Sequence, residues 1–241
     1  MTEPMRVLSF DALLRWITEE YEAERSIFGI PDALLHRPEP DDPLSCRLHG
    51  LPLATPIGPA AGPHTQLAQN VVAAWLTGGR YIELKTVQIL DTLEIPRPCI
   101  DMAEEGYNVE WSQELLLEHS TMEYVKAWAL VHLLPHLLGF ADPEAVDTQF
   151  NMSVGYNLEG ILSRPVQRFM SRMEDASEDL GSLQASVQRR CPGLAKVNIP
   201  NRIAHSVTLS TMHGCPPDEI EQIARHLIED RGLHTLSLIH I

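Results

Sequence analysis

Basic side chains are scarce in this 241-residue chain: 18 lysines and arginines stand against 33 aspartates and glutamates, a formal net charge of −15. Such a field repels phosphate backbones and anionic lipid, which argues against a nucleic-acid or membrane-surface partner. Cysteine is sparse as well. Cys46, Cys99, Cys191 and Cys215 form no CxxC pair and follow neither a zinc nor an iron–sulfur spacing, so a reduced, cytoplasmic setting is expected. No apolar run is long and clean enough to span a bilayer. The best candidate, 124–141, is interrupted by Lys126, His132, Pro135 and His136 and predicts a buried helix. The N-terminus carries Glu3 and Asp11 and has no apolar h-region, so no signal peptide is expected. His49, His119, His132 and His136 show no HExxH or facial-triad spacing, and no metal site is predicted. GxGxxG and Walker patterns are missing too.

What is present is an ordinary globular composition, 44% hydrophobic and 21% charged, in a chain long enough for one large domain or two small ones. Phe10, Leu13, Leu14, Ile17 and Tyr21 recur at helical spacing behind Ser9, which predicts an amphipathic helix with a serine N-cap. Pro38, Pro40 and Pro43, interleaved with Glu39, Asp41 and Asp42, make a stiff acidic connector. Residues 1–43 therefore form an N-terminal extension and the main domain runs over 44–235. Its opening reads as strand 51–57, a turn over 58–64, helix 65–77 closed by Gly78 and Gly79, and strand 81–87, a βαβ unit. Further strands near 148–154 and 206–209 each run into a glycine-bearing loop. The next helix has Pro216 and Pro217 at its start, Ile220, Ile223, Ala224, Leu227 and Ile228 on one face, and Gly232 at its stop. A fifth strand starts at Leu233. The expected class is α/β with a parallel sheet, and the last strand has no helix after it, which predicts a fold truncated at its C-terminus. The final segment, 236–241, reads as a non-native tail.

In parallel α/β folds the loops leaving the carboxyl ends of strands hold the site. Gly58-Pro59-Ala60-Ala61-Gly62-Pro63-His64-Thr65 has almost no side chain at its centre, so a flat ring or phosphate can approach its amides; a plain tight turn is the alternative. Glu83 and Lys85 share one face of the second strand with Tyr81 and Val87, while Ile82, Leu84 and Thr86 take the other. Lys85 can bind an anion, stabilise a reduced cofactor or form a Schiff base, or it can simply pair with Glu83. Asn151 to Asn157 ends the third strand with two amides able to read a heterocycle, or to cap the following turn. Ser210-Thr211-Met212-His213-Gly214-Cys215-Pro216-Pro217 sets Cys215 before a helix N-terminus, where the dipole lowers a thiol pKa; a buried, inert cysteine is the other possibility.

Taken together, residues 54–65, 78–87, Tyr156-Asn157 and the Ser210 to Pro217 loop resemble the FMN domain of dihydropyrimidine and dihydroorotate dehydrogenases. The stretch from about Met5 to Thr235 resembles the N-terminal part of the large flavoproteins named as selenate reductase subunits, relatives of glutamate synthase-related oxidoreductases. The resemblance implies a partial TIM-type, dihydroorotate dehydrogenase-like β/α barrel. It implies that Ala60, Ala61 and Gly62 lie against FMN, that Lys85 and Thr86 contact its ring and ribityl region, and that Asn157 and Ser210 bind substrate. The family's Asn-Leu-Ser-Cys-Pro loop supplies a cysteine acid/base; the corresponding place here is Thr208-Leu209-Ser210 followed by a displaced Cys215-Pro216. It further implies that iron–sulfur clusters, FAD and NADPH belong to other parts of a full-length protein.

Three functions follow. The first is a flavin-dependent oxidoreductase acting on a small molecule, with Cys215 or His213 handling the proton and other redox domains or subunits as partners. The second is a lyase or aldolase with Lys85 as Schiff-base lysine. The third is a non-catalytic scaffold whose Phe10 to Tyr21 face and proline connector dock redox subunits.

Overall fold

The computed structural model describes residues 6–39, 42–89, 115–211 and 215–238. It opens with α1, Phe10–Glu24, where the Ser9 hydroxyl accepts the Ala12 N–H at 3.1 Å and the left-handed Arg25 ends the helix. Phe10, Leu13, Leu14, Ile17 and Tyr21 are all buried, as their spacing predicts. Two short antiparallel hairpins follow: β1 (Ser26–Ile27) with β2 (Ile30–Pro31), and β3 (Cys46–Leu48) with β4 (Leu51–Leu53).

The body is a four-stranded parallel sheet in sequential order, β5 (Tyr81–Glu83), β6 (Gln149–Val154), β7 (Ala204–Ser210) and β8 (His234–Leu238). Helix α2 (Ala68–Leu76) precedes β5, α3 (Leu117–Leu137) joins β5 to β6, and α4 (Leu158–Leu162), α5 (Arg164–Glu174) and α6 (Ser177–Arg190) join β6 to β7. A short α7 (Ile220–Arg225) joins β7 to β8. Parallel strands taken in chain order with helical crossovers are the arc of a β/α barrel.

The expected strand over 51–57 is corrected. Its first three residues pair antiparallel in the β3–β4 hairpin, which the Gln149 side-chain amide holds by donating to the Leu48 and Leu51 carbonyls at 3.1 Å. The part that lies along the parallel sheet is displaced to 57–59: Arg80 and Tyr81 donate to the Ile57 carbonyl at 2.8 and 3.1 Å, and Glu83 donates to Pro59 at 3.1 Å. Pro56 and Pro59 have no N–H, so this edge accepts ladder bonds and forms no regular strand. Gly58 sits so close to β5 that a Cβ there would stand 1.6 Å from the Tyr81 carbonyl oxygen.

Strand β5 also breaks the alternation read from the sequence. Leu84 N–H donates to Asn151 and Val87 N–H donates to Ser153, so three steps on one chain face two on the other. This is a bulge at Lys85–Thr86, and a bulge re-aims every side chain after it. Thr86 consequently joins the face of Ser153, its hydroxyl 2.8 Å from the Ser153 hydroxyl, and Val87 is turned into the apolar core. Both were expected on the opposite faces.

The sheet separates two chemistries. Ile82, Leu84, Phe150, Met152, Val154, Val207 and Leu209 pack beneath the helices as one apolar layer. The other face carries Glu83, Lys85, Asn151, Ser153, Ser206, Thr208 and Ser210. The buried helix expected over 124–141 is found as α3, displaced to Leu117–Leu137 and buried around most of its circumference, and its internal charges pair: Lys126 bonds the Glu123 carboxylate and the Leu8 carbonyl. Among the described residues no helix is long and apolar enough to cross a membrane.

The last helix departs from expectation. It begins at Ile220, three residues after Pro217, and changes to a π-helical turn over His226–Asp230. The wider turn rotates the register: Ile223 and Leu227 are buried but Ile228 is 52% exposed. Residues 236–238, assigned by sequence to a tail, stand in β8 with Leu236 opposite Thr208. The apolar face of α1 is covered by its own chain, and Asp11 on α1 holds Arg189 and Arg190 of α6 at 3.0 and 2.6 Å.

Candidate functional site

The carboxyl ends of the four parallel strands define one rim, and the edge 57–59 delivers the next residues, 60–62, to that same rim. The Thr65 carbonyl accepts the Lys85 N–H at 3.4 Å, so the loop stays beside β5 up to the lysine. Ala60 is exposed, Ala61 half-buried and Gly62 buried. The loop is held from both ends. Thr65 Oγ1 accepts the Gly62 N–H at 3.2 Å, and the Glu83 carboxylate accepts the Ala61 N–H at 3.0 Å.

Lys85 is 4% exposed, a buried cation placed in the bulge. Its carbonyl accepts from Tyr124 Oη on α3 at 2.8 Å, which locks the bulged backbone. Burial lowers the His64 imidazole pKa, a hydrogen bond that the ring donates to the Ala60 backbone carbonyl opposes this, and the Lys85 charge lowers it further, so His64 is biased to the neutral form.

Ser210 is buried at the end of β7. Asn157 performs the capping role that sequence allowed it: its Oδ1 accepts the Gly160 N–H at 2.9 Å as N-cap of α4. Just before it, Tyr156 is held at φ 135, a conformation that bulky residues rarely adopt. Strain of this kind concentrates at functional loops. Glu219, after β7, accepts the Leu158 N–H at 2.5 Å and so ties the β7 loop to the start of α4.

Cys215 is buried, with its Sγ 3.9 Å from the Pro216 carbonyl. The expected depression of its pKa is corrected. Burial raises the thiol pKa and the Glu219 carboxylate raises it further, while α7 begins five residues downstream, too far for its dipole to act. His213 lies outside the described residues. Among the described residues no group of three or more histidines, cysteines or acids could hold a metal ion.

Spacing alone missed the centre of the arrangement. Thr208 Oγ1 donates to Glu83 at 2.5 Å and accepts from Asn151 Nδ2 at 2.7 Å, while Asn151 Oδ1 is buried with no hydrogen-bond partner. The available signal was polar residues on alternate positions of strands that should be apolar: Asn151 and Ser153, then Ser206, Thr208 and Ser210.

A parallel β/α arc with a side-chain-poor loop, a buried lysine and a polar inner face at one rim is the layout of a β/α-barrel domain with its candidate site at the carboxyl ends of the strands. Comparison with known proteins makes this specific. Residues 28–239 match the family described as "Oxidoreductase YgfK, N-terminal TIM-barrel domain", and the chain belongs to that family. It is 47% identical over 254 residues to the YgfK proteins of Escherichia coli K12 and O157:H7, a match covering 98% of this chain. The chain spans 24% of the length of those relatives.

Proposed function

We propose that this domain is the FMN-binding barrel of a larger oxidoreductase, acting on a small-molecule substrate at the rim formed by residues 60–62, Lys85–Thr86, Ser210 and Cys215. The observation that carries the reading is the buried Lys85 in a backbone bulge beside a loop without bulky side chains. The fit to a flavin is physical. Ala60, Ala61 and Gly62 carry at most a methyl group, so a planar ring can pack closely on the loop, and a side chain at Gly62 would meet His64 at 2.6 Å. Lys85 supplies a cation in a site of low dielectric, Asn151 Oδ1 is a buried acceptor in want of a donor, and the Thr86 and Ser153 hydroxyls are held together.

FMN, when bound, supplies reversible two-electron chemistry. The chain's own groups do the rest. Lys85 would hold positive charge beside a bound flavin and so favour its anionic reduced form, an interaction that burial of the lysine would strengthen. The Tyr124 bond to the Lys85 carbonyl holds the backbone from which the lysine side chain projects. Cys215, its pKa raised, keeps its proton at neutral pH and suits the role of proton donor rather than thiolate nucleophile. The remainder of a YgfK-length protein then supplies electrons through iron–sulfur, FAD and NADPH modules, in a cytoplasmic setting.

The test is FMN binding to this chain and to a full-length protein containing it, read by flavin absorption and fluorescence quenching. Lys85→Ala removes a charge-assisted contact worth about 1.5–3 kcal/mol, so affinity falls roughly 10- to 100-fold. Wild-type protein without flavin in either form, or equal flavin content in Lys85→Ala, would refute the proposal.

A further inference from the structure

We infer that Glu83 is a positioning residue, a strut across the inner face of the sheet that sets where the 60–62 loop stands relative to β6 and β7. As a cofactor-site statement this rests on the flavin reading above; as a statement about the loop it stands on geometry alone.

One carboxylate oxygen of Glu83 accepts the Ala61 N–H at 3.0 Å and the other accepts the Thr208 hydroxyl at 2.5 Å. Thr208 in turn accepts from Asn151 Nδ2 at 2.7 Å. The chain of bonds thus links the edge loop, β5, β7 and β6, across sequence separations of 22, 125 and 57 residues. Register supports it, since Glu83 pairs with Asn151 and Ser153 with Thr208 in the parallel ladder.

Direction matters here. An ionised carboxylate only accepts, so both neighbours must turn their hydrogens toward it. Thr208 spends its single proton on Glu83 and offers lone pairs to Asn151, which fixes the Asn151 amide with its nitrogen toward Thr208. Asn151 Oδ1 is thereby directed elsewhere in the interior, where it is buried and unmatched. Glu83 therefore sets both the height of the Ala61 amide and the orientation of an interior acceptor.

The loop depends on this bond more than most loops would. Pro56, Pro59 and Pro63 have no N–H, and the Gly62 N–H is turned back onto Thr65. Among the described residues, backbone bonds from 80–85 reach this segment at the Ile57 and Pro59 carbonyls before the crest and at the Thr65 carbonyl after it. Beyond Pro59, the Ala61 amide on Glu83 is what ties the loop crest to the sheet's inner face.

The experiment is hydrogen exchange at the Ala61 amide in the 241-residue chain, with FMN retention measured in parallel. Glu83→Ala should accelerate Ala61 exchange about tenfold or more, since the half-buried amide loses the acceptor it has among the described residues. Glu83→Gln should stay within about threefold of wild type, its amide oxygen accepting from Ala61 and its nitrogen donating to Thr208. Thr208→Val should raise exchange in between, and adding it to Glu83→Ala should bring no further increase, as expected for one shared network. FMN retention should fall with Glu83→Ala and recover with Glu83→Gln. If Glu83→Ala does not fold, the Glu83→Gln and Thr208→Val pair carries the test. Ala61 exchange indifferent to Glu83→Ala overturns the strut, as does Glu83→Gln behaving like Glu83→Ala. Thr208→Val exchanging Ala61 at the wild-type rate overturns it too. Absence of flavin in wild type overturns the cofactor reading alone and leaves the exchange result standing.

Discussion

Gly58→Ala is the substitution that most directly probes how the rim loop is mounted. A Cβ at this position would stand 1.6 Å from the Tyr81 carbonyl oxygen and 2.5 Å from its carbon, both backbone atoms of β5 that cannot swing aside. Reaching even 3.0 Å, a limit real Cβ atoms essentially respect, requires the edge to retreat by about 1.4 Å. Bonds of 2.8 and 3.1 Å to the Ile57 carbonyl and 3.1 Å to Pro59 do not survive that movement. Three backbone hydrogen bonds at a net ~1 kcal/mol each amount to roughly 3 kcal/mol. For a domain of this size each kcal/mol is worth about 2–4 °C, so the melting temperature should fall by roughly 6–12 °C. Gly181→Ala is the control. It lies inside α6, its Cβ meets nothing within 4 Å, and exchanging glycine for alanine in a helix should stabilise by up to about 1 kcal/mol. The assay is thermal denaturation followed by circular dichroism. A Gly58→Ala chain melting within about 1 °C of wild type would show that the edge is not seated on β5, and the account of the loop would fail with it.

Two further predictions use titration. Because burial and Glu219 both raise the Cys215 pKa, alkylation of this thiol at neutral pH, quantified by mass spectrometry, should be slower than that of a free thiol and should climb with alkaline pH. Glu219→Gln should speed it several-fold; a Cys215 that alkylates faster than free cysteine at pH 7 would contradict the placement. His132, buried on α3 with Nδ1 2.9 Å from the Trp128 carbonyl, has its pKa lowered by burial from 6.5 to about 4. Between those values the unfolded chain binds the extra proton, so the stability His132 contributes is complete above pH 6.5 and lost toward pH 4, on the order of 3 kcal/mol in all. His36, His49, His64 and His205 are shifted in the same direction and add to the slope. Denaturant midpoints of wild type and His132→Gln across this range should converge on acidification, and parallel curves would rule out the assignment.

Much of the frame could be read from local signals. Ser9 and the Phe10 to Tyr21 spacing specify α1, and the apolar alternation of β6 and β7 places those strands within two residues at each end, because these signals act over one or two turns. What escaped needed distant partners or broken periods. The edge at 57–59 escaped because Pro56 and Pro59 withhold the donors that would make it a regular strand, and its ladder partner lies beyond a helix. The Lys85–Thr86 bulge escaped because a period of two assumes one residue per step, and the extra residue shows only in the register against Asn151 and Ser153. Ile228 was placed wrongly since a π turn cannot be told from an α turn by hydrophobic spacing. Glu83 could be recognised as a charge in want of a reason, yet its partners, Ala61 and Thr208, lie 22 and 125 residues away.

The inner face itself argues for function over scaffold. A parallel sheet covered on both sides gains most by being apolar throughout, and each buried hydroxyl or amide costs free energy unless matched. Here one face meets that expectation and the other does not, with Asn151, Ser153, Ser206, Thr208 and Ser210 all buried beside Lys85. Hydrogen bonds offset much of that cost but leave Asn151 Oδ1 unmatched, a residual penalty of about 1–3 kcal/mol that packing alone would have removed with an aliphatic residue. A scaffold that docks partners through its exterior has no use for such an interior, and the apolar Phe10 to Tyr21 face of α1, which the sequence offered for docking, is consumed by this chain's own core. The ligand proposed at the rim above it accounts for this polar face, and the Glu83 network ties that face to the 60–62 loop.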